Sequence, residues 1–324
     1  MTYKVAIIGA GRIGSRHLQG LSKSSKHLDI YVLPPNQDKL LLAKQRYDEV
    51  SKLKQKNNVF YLQEISDLPE KLDLAIITTT ADIRRENISV LVSHCLVKFI
   101  ILEKVVFQKS EDFSDMLDLF DEFGTKVWVN CPRRFYPFYK EIKKEVNEQT
   151  LTITVTGNNW GLACNAVHMI DLLIFLTDQI KITFDKNYLD NQIYASKRNG
   201  FKELRGKFFA MTNRGDILEL IDQDTFSVED LKITIKTEKE KLIIDENKKV
   251  FIRNRFNLGV NKMSIDIPLQ SQMTGRIVDQ IIDTKKSDLT SFSECMRYHV
   301  PMLNSFNCHF SQVLGETIEI CPIT

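Results

Sequence analysis

Short apolar runs and segments with helical spacing alternate along the first 130 residues. The runs over 3–8, 29–33, 59–62, 74–78, 99–102 and 127–130 read as strands. Between them, 13–21, 37–47, 82–94 and 110–123 read as helices, the last of them amphipathic. Strand and helix in strict alternation predict a parallel sheet, so the first half is expected to be an α/β, doubly wound domain over residues 1–130. Beyond Pro132 the pattern changes. The segment 160–176 reads as a helix with polar residues at its start. From Gly206 onward, 207–211, 217–221, 231–237, 241–244 and 250–253 show strand alternation, and 276–282 and 292–303 read as closing helices. Asn213-Arg214-Gly215-Asp216 and Asp245-Glu246-Asn247-Lys248 read as hairpin turns. Turns this short join antiparallel strands, so residues 131–324 are expected to form an α+β domain on an open, predominantly antiparallel sheet.

The first strand runs straight into Gly9-Ala10-Gly11-Arg12-Ile13-Gly14, and a helix follows. That order suits a dinucleotide phosphate site. Gly9 permits the tight turn, and Gly11 leaves no side chain between backbone and pyrophosphate. Gly14 lets the helix pack close to the sheet, so its N-terminal N–H groups and dipole face the phosphate charge. Arg12 and Ile13 lie inside this loop.

Composition narrows the function classes. The 324 residues carry 44 basic and 42 acidic side chains, a net charge of +2, and the two signs are well mixed. Nothing in this balance suggests a nucleic-acid or membrane partner. Hydrophobic content of 43% and charged content of 27% fit a globular protein. No apolar stretch reaches the length of a membrane span, and Met1 is followed at once by a strand with no charged leader. The six scattered cysteines form no Cys-x-x-Cys pair and are expected to be reduced thiols in a cytoplasmic protein, with no metal site.

These motifs resemble the Gfo/Idh/MocA family, that of glucose-fructose oxidoreductase and inositol dehydrogenase. The resemblance rests on the glycine motif followed by His17, on Leu102-Glu103-Lys104, on Asn130-Cys131-Pro132-Arg133-Arg134-Phe135 and on His168-Met169-Ile170-Asp171. It covers nearly the whole chain. It implies a nucleotide-binding domain joined to an open sheet that often forms a dimer face, hence a homo-oligomer, dimer or tetramer. It also implies hydride exchange between NAD(H) or NADP(H) and a sugar or cyclitol carbon.

Lys104 ends a central strand, where ligands of such sheets sit, and a partly desolvated lysine can exchange a proton with a hydroxyl or carbonyl. The family usually has proline after this lysine; this chain has Val105. His168 matches the family histidine that shares acid–base work with the lysine. Asp171 reads as a structural partner. Four residues before His168, many family dehydrogenases place an aspartate, and here that position is Cys164, beside Asn165. A thiol supplies no fixed negative charge unless its pKa is depressed.

The cofactor is NAD or NADP: Pro34 stands where an acidic residue would hold the ribose hydroxyls, and Lys39 is the nearest cation. Asn36 could bond the ribose neutrally. Thr78, Thr79 and Glu103 complete the expected cofactor contacts, and Arg84 stands where many members have histidine. Arg134, Tyr136, Trp160, Cys164 and Asn165 are the expected substrate contacts with His168. The reading is an NAD(P)-dependent oxidoreductase on a sugar-like small molecule. Its alternative is a nucleotide- and sugar-binding regulator or sensor of the same fold without turnover.

Overall fold

The computed structural model describes residues 1–51, 57–146, 148–223 and 231–324. The chain divides into two compact units. One comprises Met1–Phe107, Glu111–Asn130 and Pro268–Phe292; the other comprises Gln108–Ser110, Cys131–Ile267 and Ser293–Thr324. The sequence reading draws a single boundary after residue 130, whereas the first unit also recovers 268–292 from late in the chain.

The first unit opens with β1 (Thr2–Ile8), α1 (Gly14–Leu21), β2 (His27–Leu33), α2 (Gln37–Ser51), β3 (Asn58–Tyr61) and β4 (Lys71–Ile77). It continues through α3 (Ala81–His94), β5 (Leu96–Leu102), α4 (Glu111–Glu122) and β6 (Lys126–Val129). All six strands pair in parallel, in the order β6-β5-β4-β1-β2-β3. Val5, Ala6 and Ile7 of β1 and Leu74, Ala75, Ile76 and Ile77 of β4 have no solvent exposure. Helices cover both faces of a parallel sheet, which is why these strands read as continuous apolar runs. The order reverses between β1 and β4, and the glycine motif leaves β1 at that switch point, where such sheets open a crevice.

The second unit contains α5 (Pro137–Val146), β7 (Thr152–Asn158), α6 (Leu162–Thr177) and β8 (Ile182–Asp185). A two-stranded ribbon follows, β9 (Tyr194–Ala195) and β10 (Lys202–Glu203), then β11 (Gly206–Thr212) and β12 (Ile217–Gln223). The meander β13 (Lys232–Lys236), β14 (Glu240–Asp245), β15 (Val250–Arg255) and β16 (Gly259–Ser264) completes the sheet. Its order among the described residues is β16-β15-β14-β13-β7-β12-β11-β8, and every pairing is antiparallel except β7 with β12. The exception arises because β7 precedes α6, which carries the chain over the sheet. The sequence reading had no strand at β7, although Thr-Ile-Thr-Val-Thr alternates half-buried and buried positions as a one-sided strand should. Nor did it find α5. The helix expected over 160–176 begins at Leu162, because Gly161 adopts a left-handed φ of 81° and serves as its cap.

The late segment brings α7 (Gln270–Thr284) and β17 (Thr290–Ser291), which pairs antiparallel with β6, and α8 (Phe292–Leu314) follows. α7 packs on α1. A Cβ on Gly20 would lie 2.7 Å from Thr274 Cβ, and one on Gly275 would lie 2.5 Å from Ser24 N, so the two glycines permit this close crossing.

Candidate functional site

The glycine turn is built from the strand ends beside it. Gly9 takes a φ of 87°, and a Cβ there would stand 2.7 Å from Thr79 N. A Cβ on Gly14 would stand 2.4 Å from Thr78 Oγ1, the hydroxyl that donates to the carbonyls of Ile8 (3.1 Å) and Gly9 (2.8 Å). Gly11 differs, since the nearest atom to its Cβ would be Gly9 O at 3.7 Å. The loop is therefore locked from below and open above Gly11. Among the described residues the backbone N–H groups of Arg12, Ile13 and Gly14 meet no acceptor. The first turn of α1 has no acidic residue and Ile13 supplies no side-chain cap. Unpaired N–H groups at a helix start, under a glycine, fit a pyrophosphate. Arg46 braces the loop from α2 by donating to Arg12 O (2.8 Å) and Ser15 Oγ (2.7 Å).

Beside this loop lies a cleft of about 650 Å³. Gly9, Leu33, Pro34, Pro35 and Thr79 line one side, and Gln63, Glu64 and Ser66 line it from the segment after β3. Asn36 does not line it: its Oδ1 accepts the N–H of Lys39 at 3.0 Å and starts α2.

Glu103 is buried, and Oε1 accepts from His17 Nε2 at 2.9 Å and from Asn130 Nδ2 at 2.5 Å. Gln270 and Thr274 close the ring, with Thr274 Oγ1 3.0 Å from His17 Nδ1 and Gln270 Oε1 3.0 Å from Asn130 Nδ2. Burial raises the Glu103 carboxyl, but the bond and charge of His17, the Asn130 bond and the Lys104 charge outweigh it and hold the group below its ordinary range. Glu103 thus faces inward and ties the ends of β5 and β6 to α1 and α7.

Lys104 stands half-buried at the end of β5, and its peptide bond to Val105 is cis. Beneath it lies Arg84, only 1% exposed. Its guanidinium donates to the carbonyls of Glu103 (2.7 Å) and Val106 (2.8 Å), and also to those of Val105 and Thr79. Composition gave no sign that this helix arginine would be buried. It joins the loop after β4 to the segment that carries Lys104.

In the second unit, His168 is half-buried on α6, one turn after Cys164. Two buried carboxylates saturate the start of that helix. Asp222 accepts the N–H groups of Gly161 (3.1 Å) and Leu162 (3.3 Å), and Glu203 Oε1 accepts those of Ala163 (2.5 Å), Cys164 (3.3 Å) and Leu204 (3.0 Å). Burial pushes both carboxyls above their ordinary range, and these hydrogen bonds offset it only in part.

The expected substrate contacts here have internal partners. Asn165 Nδ2 donates to the carbonyls of Trp160 (2.9 Å) and Gly161 (3.0 Å), and Trp160 Nε1 donates to Ile221 O (2.9 Å). Cys164 is buried with its sulfur 3.9 Å from Ser196 Oγ. Arg134, expected to grip a substrate anion, is held by Asp171 (2.8 Å) and Glu294 (2.7 Å), and Asp171 also accepts from Tyr298 (2.7 Å). That pairing agrees with the structural role expected of Asp171. Tyr136 stacks on Tyr139, and burial pushes its hydroxyl up to about 12. Sequence reasoning missed Glu203, Asp222 and Glu64, none of which belongs to a recognisable motif.

Residues 3–131 match the Gfo/Idh/MocA family model, described as an oxidoreductase family with an NAD-binding Rossmann fold. No curated protein matches the sequence. Solved structures share the fold over nearly the full chain at low identity. UDP-N-acetylglucosamine 3-dehydrogenase GnnA from Acidithiobacillus ferrooxidans aligns with a TM-score of 0.68 and 12% identity, over 99% of this chain and 98% of that one. A super-repressor mutant of Gal80p from Saccharomyces cerevisiae aligns with a TM-score of 0.70 and 13% identity, over 98% of each chain. A putative myo-inositol dehydrogenase from Sinorhizobium meliloti 1021 gives 0.62 and 14%, over 98% of this chain and 99% of that one. No helix among the described residues is long and apolar enough to cross a membrane.

Proposed function

With its N-terminal domain in the Gfo/Idh/MocA oxidoreductase family, we propose that this chain is a cytosolic NAD(P)-dependent oxidoreductase. Its substrate is the secondary hydroxyl or carbonyl carbon of a sugar, sugar derivative or cyclitol. The observation that carries the reading is the α1 start, with Gly11 open and the N–H groups of Arg12, Ile13 and Gly14 unmatched among the described residues. Gly9, Gly11, Arg12, Ile13 and Gly14 hold the pyrophosphate, and Thr79 lines the adjoining cleft. A bound nicotinamide supplies or accepts the hydride. Lys104 moves the hydroxyl proton, fixed in place by Arg84 beneath its loop, and His168 is the second proton-handling group. Arg134 and Asn165 are committed internally, so they shape the second unit and do not grip a ligand. Exposed Met211 and Ile217 on the outer sheet face suit a homo-oligomer contact.

A second reading, a binding protein without turnover, is favoured by Cys164 in place of the family aspartate, and the transcriptional regulator Gal80p from Kluyveromyces lactis shares the fold at 12% identity and a TM-score of 0.69. The two separate in one experiment. Nucleotide-dependent oxidation of any polyol, abolished by Lys104→Ala with nucleotide affinity intact, supports the enzyme. Nucleotide and sugar binding without turnover across a broad polyol screen supports the sensor.

A further inference from the structure

Resting on the nucleotide-binding reading, we propose that the cleft selects NAD(H) over NADP(H), and that Glu64 is the residue that decides. The two cofactors differ at one position, a ribose 2′-hydroxyl against a 2′-phosphate. The first asks the protein for an acceptor, and the second asks for donors and positive charge.

The wall at the end of β2 offers neither donors nor charge. Pro34 and Pro35 both line the cleft, and two consecutive prolines strip that turn of its backbone N–H groups. Asn36, the next side chain, spends its oxygen on the start of α2 and lies outside the lining. Across the cleft the chain after β3 presents Gln63, Glu64 and Ser66, and β3 pairs directly with β2. Ser66 Oγ donates to Glu64 Oε2 at 3.3 Å. Among the described lining residues Glu64 bears the one ionisable side chain, and it is an anion. Lys39 and Arg12 do not line the cleft.

A carboxylate accepts from a ribose diol and repels a phosphate dianion at the same place. The acid that Pro34 withholds from β2 is supplied by the neighbouring strand's exit. Glu64 is exposed, so the discrimination is of modest size and weakens with salt.

The test is calorimetric titration of nucleotide-stripped protein with NADH and NADPH at low ionic strength, on the wild type and on Glu64→Gln. The substitution is on the surface and leaves the fold intact. NADH should bind about tenfold more tightly than NADPH, and Glu64→Gln should bring that ratio to about threefold or less. Equal or tighter binding of NADPH by the wild type overturns the proposal, as does a ratio that Glu64→Gln leaves unchanged. Binding of neither nucleotide is a different failure, since it removes the nucleotide-binding reading and the selectivity with it.

Discussion

The starts of α1 and α6 are built to opposite plans. At α1 the N–H groups of Arg12, Ile13 and Gly14 have no acceptor among the described residues, the first turn carries no acidic residue, and Gly11 keeps the approach clear. At α6 the same kind of groups are taken up by Asp222 and Glu203, both at most 5% exposed. Each helix start carries a partial positive charge that favours an anion. Among the described residues the first unit brings no anion of its own to that place, whereas the second supplies two. The start of α6 therefore has its N–H groups already matched by carboxylates of the chain itself.

The largest expected effect comes from emptying the α6 start. Glu203→Ala strands the N–H groups of Ala163, Cys164 and Leu204 in a buried place. Each orphaned donor costs about 1–3 kcal/mol, so urea denaturation should show a loss of about 3 kcal/mol or more. A midpoint matching the wild type would mean that these bonds hold nothing.

The two buried glutamates should also answer pH with opposite signs. Glu103 is held below its ordinary range, so its stabilisation is full above the unfolded value of about 4.5 and is lost as pH falls through the lower folded value. Glu203 is pushed above its ordinary range, so its contribution is greatest in acid and declines as pH rises from about 4.5 through the higher folded value. Melting temperatures across pH should therefore bring both Gln variants together with the wild type on acidification, where each glutamate is protonated; on alkalinisation the wild type should gain on Glu103→Gln and lose ground to Glu203→Gln. Parallel curves for both variants would contradict this assignment.

A smaller change should make α1 resemble α6. Arg12→Asp places a carboxylate at the uncapped helix start, where it should raise stability by about 0.5 kcal/mol and weaken nucleotide binding about tenfold. Arg12→Gln separates the loss of the arginine from the gain of the acid. The idea of an anion place at this helix start fails if Asp binds nucleotide as well as Gln does.

How much of this was legible in the sequence depended on distance along the chain. The glycine loop is a contiguous hexapeptide between a strand and a helix, so its chemistry is written locally. Glu203 and Asp222 reach α6 from 40 and 61 positions away, and no spacing rule joins them to it. β7 escaped notice because threonine alternating with isoleucine and valine is a weak apolar signal, yet it lies between β13 and β12 in the sheet. The late return of 268–292 to the first unit, through the glycine contact of α7 with α1, left no mark in local pattern. The burial of Arg84 left no mark either, because its partners are carbonyls, which no side-chain motif reveals.

The central claim is that the start of α1 is an open anion place. Gly11→Val tests it most directly, because a Cβ there would meet Gly9 O only at an ordinary 3.7 Å and would stand in the ligand's approach. Calorimetric titration with NADH, alongside a thermal melt, should show affinity reduced about a hundredfold with the melting temperature unchanged. Undiminished binding in the variant would contradict the account, since the nucleotide would then have to sit elsewhere.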